Sequence, residues 1–468
     1  MLTRQLKNIS LAVLVAVASS CSDLLNTEPK QSVSSDVALK DITGIRALLI
    51  SVYDRLQPNT YYGARIMIAP EIMADNVRLT NTNSNRYFNE RVNAPSAHMQ
   101  QFWANYAAIN EANFIISAID GANTTTADKA QIKGEALFLR ALLYFDMARV
   151  FAYEPTKVVN GFNEGLILRT EPTDDVSKAD LRARSTIEET YQFIEKDLKD
   201  AIASFPATGN RLRANKAAAN ALLARVYLYW EKYADAITYA TAALDAPNGA
   251  SLVSGANYVA AFAAAPNPES FFEINYVQAT ESLGVNESMH SLTTNLTTGN
   301  WGDVVPTNEL LGLYEATDIR RTQGFFAATK GGEAVFFSRK FPGARGPFTD
   351  NIPVIRYSEV LLIRAEAYAA TGKADLALAD LNRIRTRAGA TPVAATVTGT
   401  DLIDAIMRER RLELVLEGHR FFDLKRRGEV ITKAALSAPV PYSDFRILAP
   451  LPVGQIQLNP KLKQNPGY

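Results

Sequence analysis

Apolar residues recur at helical spacing through most of the chain, most legibly in two related hairpins. In the later one, Leu361, Leu362, Ala365, Tyr368 and Ala369 share one face. Gly372-Lys373 interrupts the run, and Ala377, Leu381, Ile384 and Ala388 resume it, so Tyr357 to Ala388 reads as helix, turn, helix. An earlier stretch, Asn220 to Ala246, repeats the text. Ala224, Tyr227, Ala236 and Ala243 match Ala365, Tyr368, Ala377 and Ile384 with gaps of 3, 9 and 7, and Lys232 matches Lys373 at the turn. Further helices are predicted for Val37 to Leu56, Gln100 to Ile119, Lys129 to Phe151 and Thr186 to Phe205. Ala141 to Tyr144 carries half of the hairpin signature without a partner helix beside it in sequence. Helical periodicity covers most of 37–247 and 306–427, while strand-like text such as Phe271-Phe272-Glu273-Ile274 is short and scattered. The expected fold is therefore mainly α, with small hairpins in a loop-rich, short-stranded insertion.

Small residues at a close helix crossing, with an aromatic beyond, are what a tetratricopeptide-type hairpin requires. Two copies 141 residues apart are not a tandem solenoid, and they read as scaffold pieces in a larger helical body. Residues 248–305 are rich in Gly, Asn, Ser and Thr, too long for a plain connection, so they are expected to carry function or be poorly ordered. Arg408 to Gly428 opens as an amphipathic helix, with Glu409, Glu413 and Glu417 in one stripe, Arg410 three positions before Glu413, and Leu412, Val415 and Leu416 inward.

The chain has 468 residues, 47% hydrophobic and 21% charged, and shows no long Gly/Ser or Pro linker. One compact body is expected, with an N-terminal half at 37–247 and a C-terminal half at 248–468 whose helices pack together. Lys+Arg and Asp+Glu both number 49, so no overall field steers the protein to nucleic acid. Arg4 and Lys7 precede a short apolar run, Ile9 to Val17, then Ala18-Ser19-Ser20 and the only cysteine, Cys21. A thiol at that point is the acceptor that bacterial lipoprotein processing needs. Residues 1–20 then form a signal peptide, Cys21 carries the lipid, and 21–36 are a tether. An ordinary signal with an incidental cysteine is the rival reading. Without further cysteines, stability must come from burial rather than disulfides.

Little in the sequence suggests catalysis. The histidines are His98, His290 and His419, with no His-Glu-x-x-His signature, no Walker-type loop and no thiol left as nucleophile. Glu188-Glu189 and Asp174-Asp175 could imitate a glycosidase pair, but adjacent residues point apart and nothing sets them across a sugar. Asp75, Asp303 and Asp350 lack calcium-loop spacing. No catalytic residue, cofactor or metal is predicted.

Four stretches carry a family resemblance: Cys21-Ser-Asp-Leu-Leu, Arg356-Tyr-Ser-Glu-Val-Leu-Leu-Ile-Arg-Ala-Glu-Ala-Tyr368, Arg408 to Gly428, and the closing Asn465-Pro-Gly-Tyr468. Together they resemble the SusD/RagB family of outer-membrane lipoproteins, across essentially the whole mature chain. The resemblance implies a surface-exposed, lipid-anchored helical binder that captures oligosaccharides as a lid on a TonB-dependent transporter of the SusC type. Some members serve peptides, so glycan and peptide both stay open, and a tetratricopeptide-type protein-interaction scaffold is the main rival.

Sugars offer C–H faces to aromatic rings and hydroxyls to amides, carboxylates and guanidinium groups. Trp301, in Thr298-Gly299-Asn300-Trp301-Gly302-Asp303, has no helical face to belong to and is the first candidate platform. Tyr61, Tyr62 and Tyr87 lie in loop-like text and follow it, with Asp75, Asn76, Arg86 and Asn300 as polar candidates. Trp103 and Trp230 sit in helical text and read as core, and Arg78 and Arg86 could equally make ion pairs.

Overall fold

A computed structural model describes residues 39, 41–95, 99–174, 180–247, 249–277 and 280–468. The signal, Cys21, the tether and His98 lie outside them. Among the described residues the helices of eight or more residues are α1 (Ile42–Asp54), α2 (Arg65–Ile72), α3 (Tyr106–Ala118), α4 (Thr126–Phe151), α5 (Ile187–Ser204), α6 (Lys216–Tyr229), α7 (Tyr233–Leu244), α8 (Tyr357–Ala370), α9 (Ala374–Ala388), α10 (Gly399–Glu413) and α11 (Arg420–Arg427). The structure is 49% helix and 8% strand, so it is mainly α. Several helices start where a side chain satisfies the exposed N–H groups. Thr125 accepts from Asp128 N, Asn215 from Ala218 N, and Thr186 and Glu189 form a reciprocal capping box.

From α3 to α10 each of these helices packs against the next. The half-signature at Ala141 to Tyr144 does have a partner, since α4 pairs with α5 after a connection that leaves and returns. The two hairpins, far apart in sequence, are neighbours in space, because α7 lies directly against α8. Ala224, Ala236, Ala365 and Ala377 are sealed at these crossings, where larger side chains would hold the backbones apart. Charged residues bridge the layers as well: Arg140 to Asp197 at 2.7 Å, Arg225 to Glu359 at 2.6 Å, and Arg364 to Asp380 at 2.7 Å.

The excursion between α7 and α8 contains most of the strand: β1 (Val77–Leu79), β2 (Ser270–Ile274), β3 (Val304–Pro306), β4 (Phe325–Lys330), β5 (Glu333–Ser338) and β6 (Ile352–Arg356). Among the described residues of 248–305 no two strands pair with each other as the expected local hairpin. β2 pairs antiparallel with β6, and β3 with the distant β1; among the described strands β4 and β5 alone form a hairpin, beyond that segment. Gly, Asn, Ser and Thr-rich text has too little apolar alternation to hold a sheet by itself, so its strands find partners elsewhere.

The glutamate stripe of α10 is not solvated, contrary to its amphipathic appearance. Glu409 and Glu413 have no exposed surface and Glu417 is buried. Glu413 meets Arg387 at 2.7 Å, Arg320 at 3.2 Å and Arg356 at 3.4 Å. Glu417 meets Lys340 at 2.5 Å and Arg356 at 2.7 Å, and Arg356 continues to Glu269 at 2.8 Å. Chain reversal after α10 uses Gly418 at φ +76°, where a Cβ would lie 2.2 Å from the Ile66 carbonyl oxygen, so only glycine lets this turn approach α2.

Arg356→Ala strands Glu417, Glu269 and part of Glu413 in the interior. Removing one partner of such a set costs ~3–5 kcal/mol, so denaturant melts should show a loss of that size. A loss near that of a surface substitution would mean the pairs are not coupled.

Candidate functional site

Trp301 stands on a loop whose backbone is held from several sides. Its N–H donates to Ser291 Oγ at 3.2 Å, and Gly302 N donates to the Ser291 carbonyl at 2.7 Å. Lys330, at the tip of the β4–β5 hairpin, reaches the Trp301 carbonyl, the Gly302 carbonyl at 3.0 Å and Asp303 Oδ1 at 3.0 Å. Gly302 sits at φ +54° with the Phe337 ring 2.9 Å from where a Cβ would be, so the turn needs glycine twice over. The result is a fixed backbone under a ring that remains 37% exposed.

The early loop is knitted to this one. Thr80 N donates to the Asp303 carbonyl at 2.8 Å, and Ser84 N to Asp303 Oδ2 at 3.2 Å. Those bonds, with the β1–β3 pairing, bring Arg86 over the Trp301 ring, its guanidinium 5.0 Å from the ring centroid. Arg86 also donates to Asn286 Oδ1 at 3.3 Å and lies 3.8 Å from Glu287. Stacking on an indole leaves the edge N–H groups of a guanidinium available. Asn300 donates to the His290 carbonyl at 3.3 Å, while its own Oδ1 is buried without a partner. Trp301, Arg86 and Asn300 are thus brought together with Asn286 and Glu287 at their rim.

The other candidates are elsewhere, and most are buried. Tyr61 and Tyr62 are 3% and 4% exposed, and both hydroxyls donate to Asp146, at 2.6 and 2.8 Å. Burial first, and the Asp146 charge second, raise both phenols well above their ordinary range, so they stay protonated donors. They offer no open face. Asn76 is buried too, donating to Glu71 at 2.8 Å and accepting from Arg411 at 2.7 Å. Asp75 receives Arg420 at 2.7 Å and Arg411 at 3.1 Å; burial works against its ionised form, but these two cations hold it below the ordinary carboxylate range. Tyr87 is buried with the Arg65 guanidinium 5.0 Å from its ring. Its backbone is left-handed, φ +57°, and that turn sends the next residue outward instead. Phe88 is 48% exposed beside Arg91, and the sequence pattern missed it because the loop has no period to say which neighbour faces out. Lys330, Asn286 and Glu287 were likewise invisible, being ordinary polar residues until the fold places them here.

The remaining expectations divide cleanly. Trp103 and Trp230 are core, and Arg78 pairs with Glu333 at 2.5 Å. Glu189 caps α5, and Glu188 accepts from Trp230 Nε1 at 3.2 Å, so both carboxylates are engaged in bonds to their own helix and its neighbour. Asp175 lies outside the described residues. Among the described residues no group of three or more His, Cys, Asp or Glu side chains is placed to hold a metal ion, and no helix is long and apolar enough to cross a membrane.

Beneath the loop, His290 is buried with Nδ1 2.8 Å from the Phe341 carbonyl and Nε2 2.8 Å from Thr297 Oγ1. The carbonyl can only accept, so Nδ1 carries the proton and Thr297 donates to Nε2. Burial lowers its affinity for a second proton. Asp350, 3.8 Å away, accepts from Gly343 N at 2.9 Å, and burial pushes its carboxyl up to about 7.

Comparison with known proteins gives a consistent result. A model of the SusD family matches residues 335–468, and a model described as starch-binding and associating with outer membrane matches residues 23–228. A SusD-like protein of Formosa agariphila is 25% identical over 99% of this chain and all of its own length. The starch-binding protein SusD of Bacteroides thetaiotaomicron is 36% identical, over 26% of this chain and 22% of its own. Among solved structures, a SusD superfamily protein from Bacteroides vulgatus superposes with a TM-score of 0.82 at 28% identity, covering 92% of this chain and 99% of that one. Another from B. thetaiotaomicron gives 0.81 at 26%, covering 91% and 99%.

A carboxyl raised from 3.8 to about 7 keeps its proton in the folded state while the unfolded chain ionises. Its stabilising contribution is complete below pH 4 and is lost as pH rises to 7, by ~1.4 kcal/mol per pH unit inside that window. Melts at stepped pH should show that slope, and Asp350→Asn should flatten it; an unchanged slope in the variant assigns it to other groups.

Proposed function

This chain belongs to the SusD/RagB family, and from that premise we propose that its Trp301 shelf captures oligosaccharides at the outer membrane for delivery to a TonB-dependent transporter of the SusC type. SusD-family proteins are non-catalytic binding proteins. Capture therefore has to come from shape and contacts rather than chemistry. The observation that carries the reading is the exposed Trp301 indole on a rigid loop, rimmed by Arg86, Asn286 and Glu287.

A sugar ring presents C–H groups to the indole and hydroxyls to the guanidinium, amide and carboxylate around it. A loop pinned at Ser291, Lys330 and Asp303 loses little freedom when the ligand arrives, which favours affinity from a small contact. The matched family description and the names of the relatives support carbohydrate as the ligand class and the outer membrane as the location. The lipid anchor at Cys21 is part of the proposal, as is the division of the chain into a tether from 21 to 36 and two halves meeting at 247. So is the assignment of the hairpin face, where Leu376 is half exposed, to contact with the transporter.

An affinity-gel or glycan-array screen of the protein should find at least one retained oligosaccharide. Trp301→Ala should then weaken binding by ~0.5–2 kcal/mol, by analogy with other aromatic contacts, which is several-fold or more in Kd. Tyr61→Phe should leave it unchanged, since that ring is in the core. Equal affinity for wild type and Trp301→Ala removes the indole from the site.

A further inference from the structure

The open end of the β4–β5 hairpin, away from Lys330, carries a second feature that the Trp301 shelf does not use. A groove of about 550 Å³ is lined there by Arg321, Thr322, Gln323, Phe326, Phe336 and Arg339. Arg339 N donates to the Gly324 carbonyl at 2.9 Å, which closes this end of the hairpin and sets Arg339 beside the turn that follows Arg321. Arg321 lies over the Phe336 ring with its guanidinium carbon 4.0 Å from the centroid. Arg339 lies over Phe326 at 4.7 Å.

These two cations differ from the arginines around them. Neighbouring Arg320 is buried and bonded to Asp318, Glu409 and Glu413. Among the described residues, neither Arg321 nor Arg339 has a carboxylate within salt-bridge distance, and neither side chain makes a hydrogen bond. Both are partly exposed, and no acidic side chain lines the groove. A cleft with one sign of charge concentrates counter-ions. A guanidinium stacked on a phenyl face is held flat, with its N–H edge free for bidentate bonding to a planar or tetrahedral oxyanion. Thr322 and Gln323 add neutral donors and acceptors, and Phe326 and Phe336 add apolar surface, in a volume within the usual range for small-ligand sites.

We propose that this groove is a second ligand site, for an acidic oligosaccharide held through its carboxylate or sulfate groups by Arg321 and Arg339. The proposal shares the premise that the protein binds carbohydrate but does not use Trp301, so the two sites fail independently. The phenyl faces favour a sugar-borne anion over a free one, because an inorganic ion has no C–H surface to lay upon them.

The test is native gel retardation of the protein in polygalacturonate, alginate and carrageenan, with starch and neutral galactan gels beside them, and calorimetric titration with inorganic sulfate. At least one acidic polymer should retard the protein, less so at high salt. Arg321→Gln with Arg339→Gln should weaken that retention about tenfold or more, the scale of two lost charge-assisted contacts. Trp301→Ala should leave it unchanged while weakening neutral-glycan binding. Arg321→Lys with Arg339→Lys keeps the charge but not the fork, and should give a partial loss; it also serves if the glutamine pair misfolds by circular dichroism. The proposal is overturned if no acidic polymer retards the wild type, if the lysine or glutamine pair binds as the wild type does, or if inorganic sulfate binds as tightly as the acidic oligosaccharide.

Discussion

A sealed set of ion pairs at the C-terminal end of α10 joins parts of the chain that share no hydrophobic stripe. Arg356 comes from the end of β6, Lys340 from just after β5, Arg320 from the short helix before β4 and Asp318 from its cap, Glu269 from just before β2, and Glu413 and Glu417 from α10 and its following turn. Buried charges are expensive to desolvate, and they persist only where each meets a partner of good geometry. Here Arg320, Arg356, Glu413 and Glu417 each meet more than one partner, so the pairs hold the excursion between α7 and α8 in register with α10. Glu413 shows the balance. Burial opposes its charge, but Arg387, Arg356 and Arg320 hold it well below the ordinary carboxylate range.

That seating is what makes a candidate binding surface out of loops. The helical stack supplies a rigid body through close alanine crossings, and the ion pairs fix the excursion upon it. The bonds from Ser291, Lys330 and Asp303 then fix the Trp301 turn upon the excursion. At each step an extended, polar segment is ordered by partners it meets only in three dimensions. The exposed indole is the terminus of that hierarchy, and its orientation is inherited from a network far from it.

The β4–β5 hairpin links the two candidate surfaces. One end carries Lys330 under the Trp301 turn, and the other carries Arg339 and the groove beside Arg321. Its inner face, with Val335 and Phe337, packs on Val305 in a small core separate from the main one. Two short strands with so small a core would be marginal alone, which explains why the hairpin leans on β3 and on the early loop.

What the chain determined by itself was local. Helical periodicity, caps such as Thr186 with Glu189, and the repeated alanine–tyrosine text were enough to place the hairpins and much of the mainly α body. The absence of any helical face around Trp301 was also readable, because a ring between two glycines has no element to pack within. Tertiary structure decided the rest. Periodicity says which residues share a face, not what covers it, so the α10 glutamate stripe was legible and its burial was not. The same limit applied to the loop aromatics. Tyr61, Tyr62 and Tyr87 read as open, yet Asp146, Arg65 and the helical core enclose them, while Phe88 turns out through a left-handed neighbour. The pairing of β1 with β3, and with it the meeting of Arg86 and Trp301, is a long-range contact whose free energy comes from the assembled core rather than from either segment.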